Sequence, residues 1–189
     1  YYNKNADNFA KTTINVDFYE TQNRFSTLLP EHGYILDFGC GSGRDTKYFL
    51  EQGFYVDATD GSEEMCHIAS NYTGIQVRRL LFEELDENKK YDGIWACSSI
   101  LHLPKNELKA VFMKMFKALK EDGIIYTSFK YGDFEGERNG RYFTDFTEKT
   151  FEEFVEEIDN LQLKEEWITG DVRPGRGEEK WLNVILQKN

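Results

Sequence analysis

At 189 residues, 40% hydrophobic and 30% charged, the chain has the length and make-up of one folded domain rather than of a disordered segment. A formal net charge of −11 repels polyanions at long range and argues against a generic nucleic-acid binder, while leaving room for a local basic site. Apolar runs such as residues 94–97 are far too short to cross a bilayer, and residues 1–7 hold no apolar signal-peptide core, so a cytoplasmic protein with no membrane partner is expected.

In chain order, residues 16–29 read as a helix, with Phe18, Phe25, Leu28 and Leu29 on one side. Residues 34–38 form a short apolar run that ends at a glycine cluster, as a buried strand does. Helical pattern resumes over 44–52 and stops at Gly53. Residues 54–59 are strand-like. Ser62, followed by Glu63 and Glu64, is a good N-cap for a helix running to Ala69. Two further strands are expected at 75–79 and 91–97. Residues 108–119 make an amphipathic helix closed by Asp122-Gly123, and 123–129 a β-rich strand. A polar loop is expected over 130–145, then a helix over 147–158 capped by Thr147 or Thr150. Strands at 161–168 and 181–187 have no helix between them and are expected to pair as a hairpin, leaving one antiparallel strand at or near the edge.

There is no internal repeat, low-complexity tract or linker. Strands alternating with helices imply an α/β fold: one doubly wound, mostly parallel, Rossmann-like sheet with helices on both faces and the last strand antiparallel. The organisation expected is one domain over 1–189, with a helical cap over 1–30 and substrate-side loops over 130–145 and 170–180. In such sheets the ligand sits beyond the carboxyl ends of the strands. The three cysteines, Cys40, Cys66 and Cys97, show no metal-ligand spacing, so reduced thiols and no metal site are expected.

The most informative stretch is Asp37-Phe38-Gly39-Cys40-Gly41-Ser42-Gly43-Arg44. Spaced glycines let a ligand approach the backbone, and the following helix N-terminus offers unpaired N–H groups. Asp60, at the end of the second strand, is placed to accept both hydroxyls of a ribose. A dinucleotide fingerprint G-x-G-x-x-G would need a third glycine at Arg44 or Thr46, and both positions lack it. Asp37 also suits a ligand bearing an ammonium group better than one bearing a pyrophosphate.

The pattern D-x-G-C-G-S-G-R, followed by an acid closing the next strand, resembles motif I of class I S-adenosylmethionine-dependent methyltransferases. The segment from Asp92 to Pro104 and the tail around Asp171–Arg176 are similar to the small bacterial methyltransferase-domain and tellurite-resistance-like group. The resemblance implies S-adenosyl-L-methionine as cofactor and S-adenosyl-L-homocysteine as product. It places Gly39, Cys40, Gly41 and Gly43 in the turn beneath the methionine part, with Asp37 orienting the turn or the ammonium. Asp60 would hold the ribose, Gly61 and Ser62 would lie beside the adenosine, and Leu81 with Phe82 would flank the adenine, helped by backbone groups and Glu83. Cys97 and Ser98 would touch the methionine portion. Tyr2 would close over the cofactor, with Arg44 near its carboxylate.

The sulfonium is already an activated leaving group, so alignment matters more than a base. His102, after the fourth strand, is the histidine best placed to act as one. The acceptor is expected over the two substrate-side loops, where Tyr131, Arg138, Arg141, Tyr142, Arg173 and Arg176 are candidate contacts. These loops carry six basic and seven acidic residues, close to balance in an acidic chain, so the arginines offer a grip for an anionic group. No Pro-Pro dipeptide of the amide- or base-nitrogen methylating signature and no Pro-Cys of a cytosine-C5 enzyme occurs. A small-molecule acceptor is the leading expectation, a nucleic-acid acceptor the second, and a non-catalytic cofactor-binding protein the third.

Overall fold

The computed structural model describes residues 2–189; Tyr1, the first residue of the expected cap, lies outside the described residues. The strands are β1 (Tyr34–Phe38), β2 (Tyr55–Asp60), β3 (Arg78–Arg79), β4 (Tyr91–Ala96), β5 (Leu119–Lys130), β6 (Glu135–Arg138), β7 (Arg141–Thr144), β8 (Leu161–Gly170) and β9 (Lys180–Lys188). The helices are α1 (Tyr2–Thr13), α2 (Tyr19–Ser26), α3 (Arg44–Glu51), α4 (Glu63–Thr73), α5 (Lys105–Ala118) and α6 (Glu148–Glu156). Seven strands form one sheet in the order β3-β2-β1-β4-β5-β9-β8, and β6 pairs with β7 in a separate hairpin. The first five are parallel; β9 runs antiparallel to both of its neighbours. This is the expected mostly parallel α/β sheet with an antiparallel last strand.

The pleat sorts the apolar residues onto two faces. Leu36 and Ile94 pack on one side with Phe112 of α5 and Phe151 of α6, while Ile35 and Trp95 pack on the other with Phe25 of α2 and Phe49 of α3. The Trp95 ring stacks on Tyr126 of β5 at 4.0 Å between centroids. Strand order reverses between β1 and β4, and a crevice opens there at the carboxyl ends.

Several boundaries differ from the sequence expectation for physical reasons. The helix expected over 16–29 is shorter, because the Asp17 carboxylate accepts the Tyr19 N–H and starts α2 there. A separate helix, α1, precedes it within the helical cap expected over 1–30. Its Ala6 and Ala10 are buried and it packs on α4, so its small inward face gives only a faint apolar rhythm. Helix α4 runs four residues beyond Ala69 and ends on Gly74 in the left-handed conformation. The strand at 75–79 shrinks to two residues, since the Val77 N–H is taken by the Ser70 hydroxyl instead of the sheet. The stretch at 130–145 is not an open loop: it folds as the β6–β7 hairpin around Asn139-Gly140, both at positive φ, the dipeptide that two-residue hairpin turns favour. β8 and β9 do pair, with β9 inside. Its Leu182, Val184, Ile185 and Leu186 are buried, whereas the charged β8 forms the edge. Among the described residues, no helix is long and apolar enough to cross a membrane.

Candidate active site

The turn after β1 depends on glycine for two separate reasons. Gly39 sits at φ 83°, and a Cβ there would lie 2.5 Å from the Ser99 Cβ. Gly43, which starts α3 at φ 87°, would place a Cβ 2.7 Å from the Thr73 methyl of α4. The first is a close approach to the loop after β4, the second a close approach of two helices. Between them the Gly39 and Cys40 N–H groups both donate to the Thr59 carbonyl, tying the turn to β2.

Asp60 locks the same turn from the next strand. One carboxylate oxygen accepts the Gly41 N–H and the other the Ser62 N–H, both at 2.9 Å. Burial pushes its pKa up, and those two N–H groups oppose the shift by bonding the charged form. Each oxygen keeps a second lone pair for a ligand hydroxyl. Ser62 caps α4 by accepting the Met65 N–H, and its hydroxyl also bonds the Asn3 side chain of α1.

Beneath the turn two aspartates divide their charge. Asp37 is 2% exposed and accepts the Thr46 hydroxyl at 2.6 Å, which ties β1 to α3. Burial, with Asp45 nearby, drives its pKa far above the carboxylate range. Burial opposes ionisation at Asp45 as well. There the Arg44 guanidinium, with bonds from Trp95 and Gln22, outweighs it and holds the pKa below normal. Arg44 grips both Asp45 oxygens, at 2.9 and 3.0 Å, and lies over the Phe18 ring.

A cavity of about 450 Å³ opens above this floor. The expected cofactor contacts Gly39, Cys40, Gly41, Arg44, Asp60, Gly61, Ser62, Leu81, Phe82, Cys97, Ser98 and Tyr2 all line it. Asp37 and Gly43 do not; they support the turn from below. Glu83 is exposed and stands outside the lining. Phe82 is fixed by an edge-on contact with Phe38 at 4.8 Å. The Cys97 thiol is pushed up to about 12 by burial, so it is neutral at physiological pH.

His102 also lines the cavity. Its Nδ1 lies 2.8 Å from the Tyr142 carbonyl and must donate, because a carbonyl only accepts. Nε2 then receives the Tyr2 phenol at 3.1 Å, and the Tyr2 oxygen in turn accepts from Arg141 at 3.2 Å. Burial, then the positive charges of Arg141 and Lys130, lower the His102 pKa to about 4 against the Tyr142 bond. It is therefore neutral, in one tautomer, and a weak base.

The candidate acceptor residues separate. Arg141, Arg173 and Arg176 line the cavity. Arg138 is instead clamped to both oxygens of Asp145, at 3.1 and 3.0 Å. Tyr131 donates to Glu148 and Tyr142 to Glu135, away from the cavity. Sequence reasoning passed over the α1 side of the pocket, where Asn3, Phe9 and Thr13 contribute, and over Lys130 and Trp181. The α1 spacing of Ala6, Phe9, Ala10 and Thr13 was the available signal.

Residues 35–123 match the family model described as a methyltransferase domain. YqeM of Bacillus subtilis (strain 168), named as a candidate methyltransferase, is 34% identical over 116 residues, covering 56% of this chain and 47% of that protein. The chain spans less than half the length of the curated relatives it matches first, 47% and 40%. Among solved structures, the 1,6-didemethyltoxoflavin-N1-methyltransferase of Burkholderia thailandensis, bound to 1,6-didemethyltoxoflavin and S-adenosylhomocysteine, superposes with a TM-score of 0.77 at 24% identity, over 100% of this chain and 84% of that one. A TehB-like methyltransferase of Corynebacterium glutamicum superposes with a TM-score of 0.74 at 19% identity, over 98% and 99% of the two chains. Strand order, glycine turn and family match point the same way: residues 35–123 match a methyltransferase domain, and the chain has the fold of the two solved methyltransferases.

Proposed function

We propose that the chain transfers the methyl group of S-adenosylmethionine to a small-molecule acceptor bound in the same cavity. The observation that carries the reading is the Asp60 carboxylate, pre-oriented by the Gly41 and Ser62 N–H groups at the wall of a cavity floored by the glycine turn. An acceptor pair of this kind fits a ribose diol. Gly61, Leu81 and Phe82 line the cavity beside it, and the missing Cβ of Gly61 lets a Leu81 methyl pack close against the backbone there. The volume is in the range of small-molecule sites.

S-adenosylmethionine supplies an activated methyl group on positively charged sulfur. The chain's own work is to hold and align the two reactants and keep water out. Helix α1 covers the cavity and brings Tyr2 to it. In this reading His102 acts through Tyr2 as a positioning residue, accepting the phenol proton so that the tyrosine oxygen faces a fixed direction. Its low basicity suits orientation better than removing a proton from an unactivated acceptor.

The test is turnover with methyl-labelled S-adenosylmethionine against a metabolite extract and against tRNA. Label appearing in small molecules, with S-adenosylhomocysteine formed in equal amount, is expected. Label appearing only in tRNA would overturn the acceptor class; binding without turnover on either would overturn the catalytic reading.

A further inference from the structure

The cavity is electrically two-ended. Asp60 marks one end on β2. Three strand spacings away, roughly 14 Å at about 4.8 Å per strand, lies the end of β5 with Lys130. Around it Arg173 and Arg176, from the segment between β8 and β9, and Arg141, from β7, line the same cavity. Asp171 neutralises Arg173; its carboxylate is fixed by two further donors, the Arg173 N–H and the Trp181 indole. Glu179 serves both Lys130, at 2.6 Å, and Arg176, at 4.0 Å. Two carboxylates thus serve three cations, an excess of one positive charge.

That excess stands in a chain of net charge −11, so it is local. The same charges are felt at His102, where Arg141 and Lys130 oppose protonation. The cationic end is itself aromatic: Phe143 and Trp181 lie 5.6 and 5.7 Å from the Lys130 Nζ, Phe9 of α1 lines the same cavity, and the Arg141 guanidinium lies 5.2 Å from the Phe143 ring centre. A guanidinium flanked by an aromatic face suits a planar anion, whose charge it meets while the ring packs on the wall.

We propose that the methyl acceptor is an anionic small molecule with a flat ring body, its carboxylate or phosphate seated between Arg141 and Arg176. The proposal rests on the methyltransferase reading above, because it assigns the other end of the cavity to the nucleoside. A cationic acceptor meets repulsion at this end, and a neutral one gains only the weaker, uncharged hydrogen bonds.

Calorimetry on the whole chain saturated with S-adenosylhomocysteine tests it, with 2-naphthoate, 2-naphthyl phosphate, 2-naphthamide and 2-naphthylmethylamine as probes. At least one anion should bind about tenfold more tightly than the amide, the yield of one charge-assisted hydrogen bond. The stronger of the two anions tells carboxylate from phosphate. The preference should shrink in 0.5 M salt, and Arg141→Gln/Arg176→Gln should bring the anion down to the amide's affinity for the same variant. A thermal melt of the variant confirms that it is folded. Equal binding of acid and amide, preference for the amine, or no probe bound at all overturns the proposal. Failure of S-adenosylhomocysteine to bind in the first step instead overturns the methyltransferase reading.

Discussion

Replacing Asp37 with asparagine should make the protein's stability less dependent on pH. In the fold Asp37 is buried and its pKa is raised by burial and by Asp45. In the unfolded chain it ionises near ~4. Between those two values the folded chain holds a proton that the unfolded chain has released. The stability tied to this group is therefore fully present below pH ~4 and is lost as pH rises through the window, by up to about 1.4 kcal/mol per unit. From pH 5 to pH 7 the wild type should lose up to about 2.7 kcal/mol relative to Asp37→Asn. The asparagine oxygen still accepts the Thr46 hydroxyl, so the link between β1 and α3 survives. Urea denaturation of both proteins at pH 5, 6 and 7 measures the difference, in which the contributions of Asp60 and His102 cancel. Parallel stability profiles for the two proteins would refute the reasoning, as would an asparagine variant more than ~1 kcal/mol less stable at pH 7.

Two further outcomes follow from particular contacts. Gly43→Ala should destabilise by about 2–4 kcal/mol, from a left-handed φ and a clash with the Thr73 methyl and Ala69; adding Thr73→Ser should recover the Thr73 share alone. A denaturant series on the single and double variants checks this, and an unrescued or neutral Gly43→Ala contradicts it. The His102 ring should remain the neutral Nδ1–H tautomer from pH 8 down to pH 5 and titrate near the value of about 4. Nitrogen-detected NMR of the imidazole reads this directly, and a midpoint at or above 6 contradicts the Tyr2–His102 geometry.

Elements that carry their own chemistry were legible in the sequence. β1 and the start of α3 fall where the apolar run and the glycines place them, because strand burial and positive φ are local demands. Ser62 caps its helix as read. α1 falls inside the helical cap expected over 1–30, but its bounds were not legible, because it buries two alanines against α4, a contact decided by tertiary packing. The β6–β7 hairpin did have a local mark, Asn139-Gly140, hidden among the polar residues around it. In the site, Gly39, Gly41 and Asp60 meet at one cavity wall, in keeping with their spacing along the chain. The arginines could not be read that way. Arg138 and Arg141 look alike along the chain and pair across the hairpin, yet Asp145 captures the first and the cavity receives the second. Which arginine faces a ligand depends on a carboxylate brought up by the fold.

The most direct measurement is calorimetric titration of S-adenosylhomocysteine into the wild type and into Asp60→Asn. The amide turns one acceptor oxygen into a donor facing either the Gly41 or the Ser62 N–H, and it removes the charge that strengthens hydrogen bonds to a ribose. The account predicts one site per chain in the wild type and a loss of about 10- to 100-fold in the variant, corresponding to ~1.5–3 kcal/mol for a hydrogen bond to a charged group. Absence of binding to the wild type, or equal binding to a folded Asp60→Asn, would contradict it.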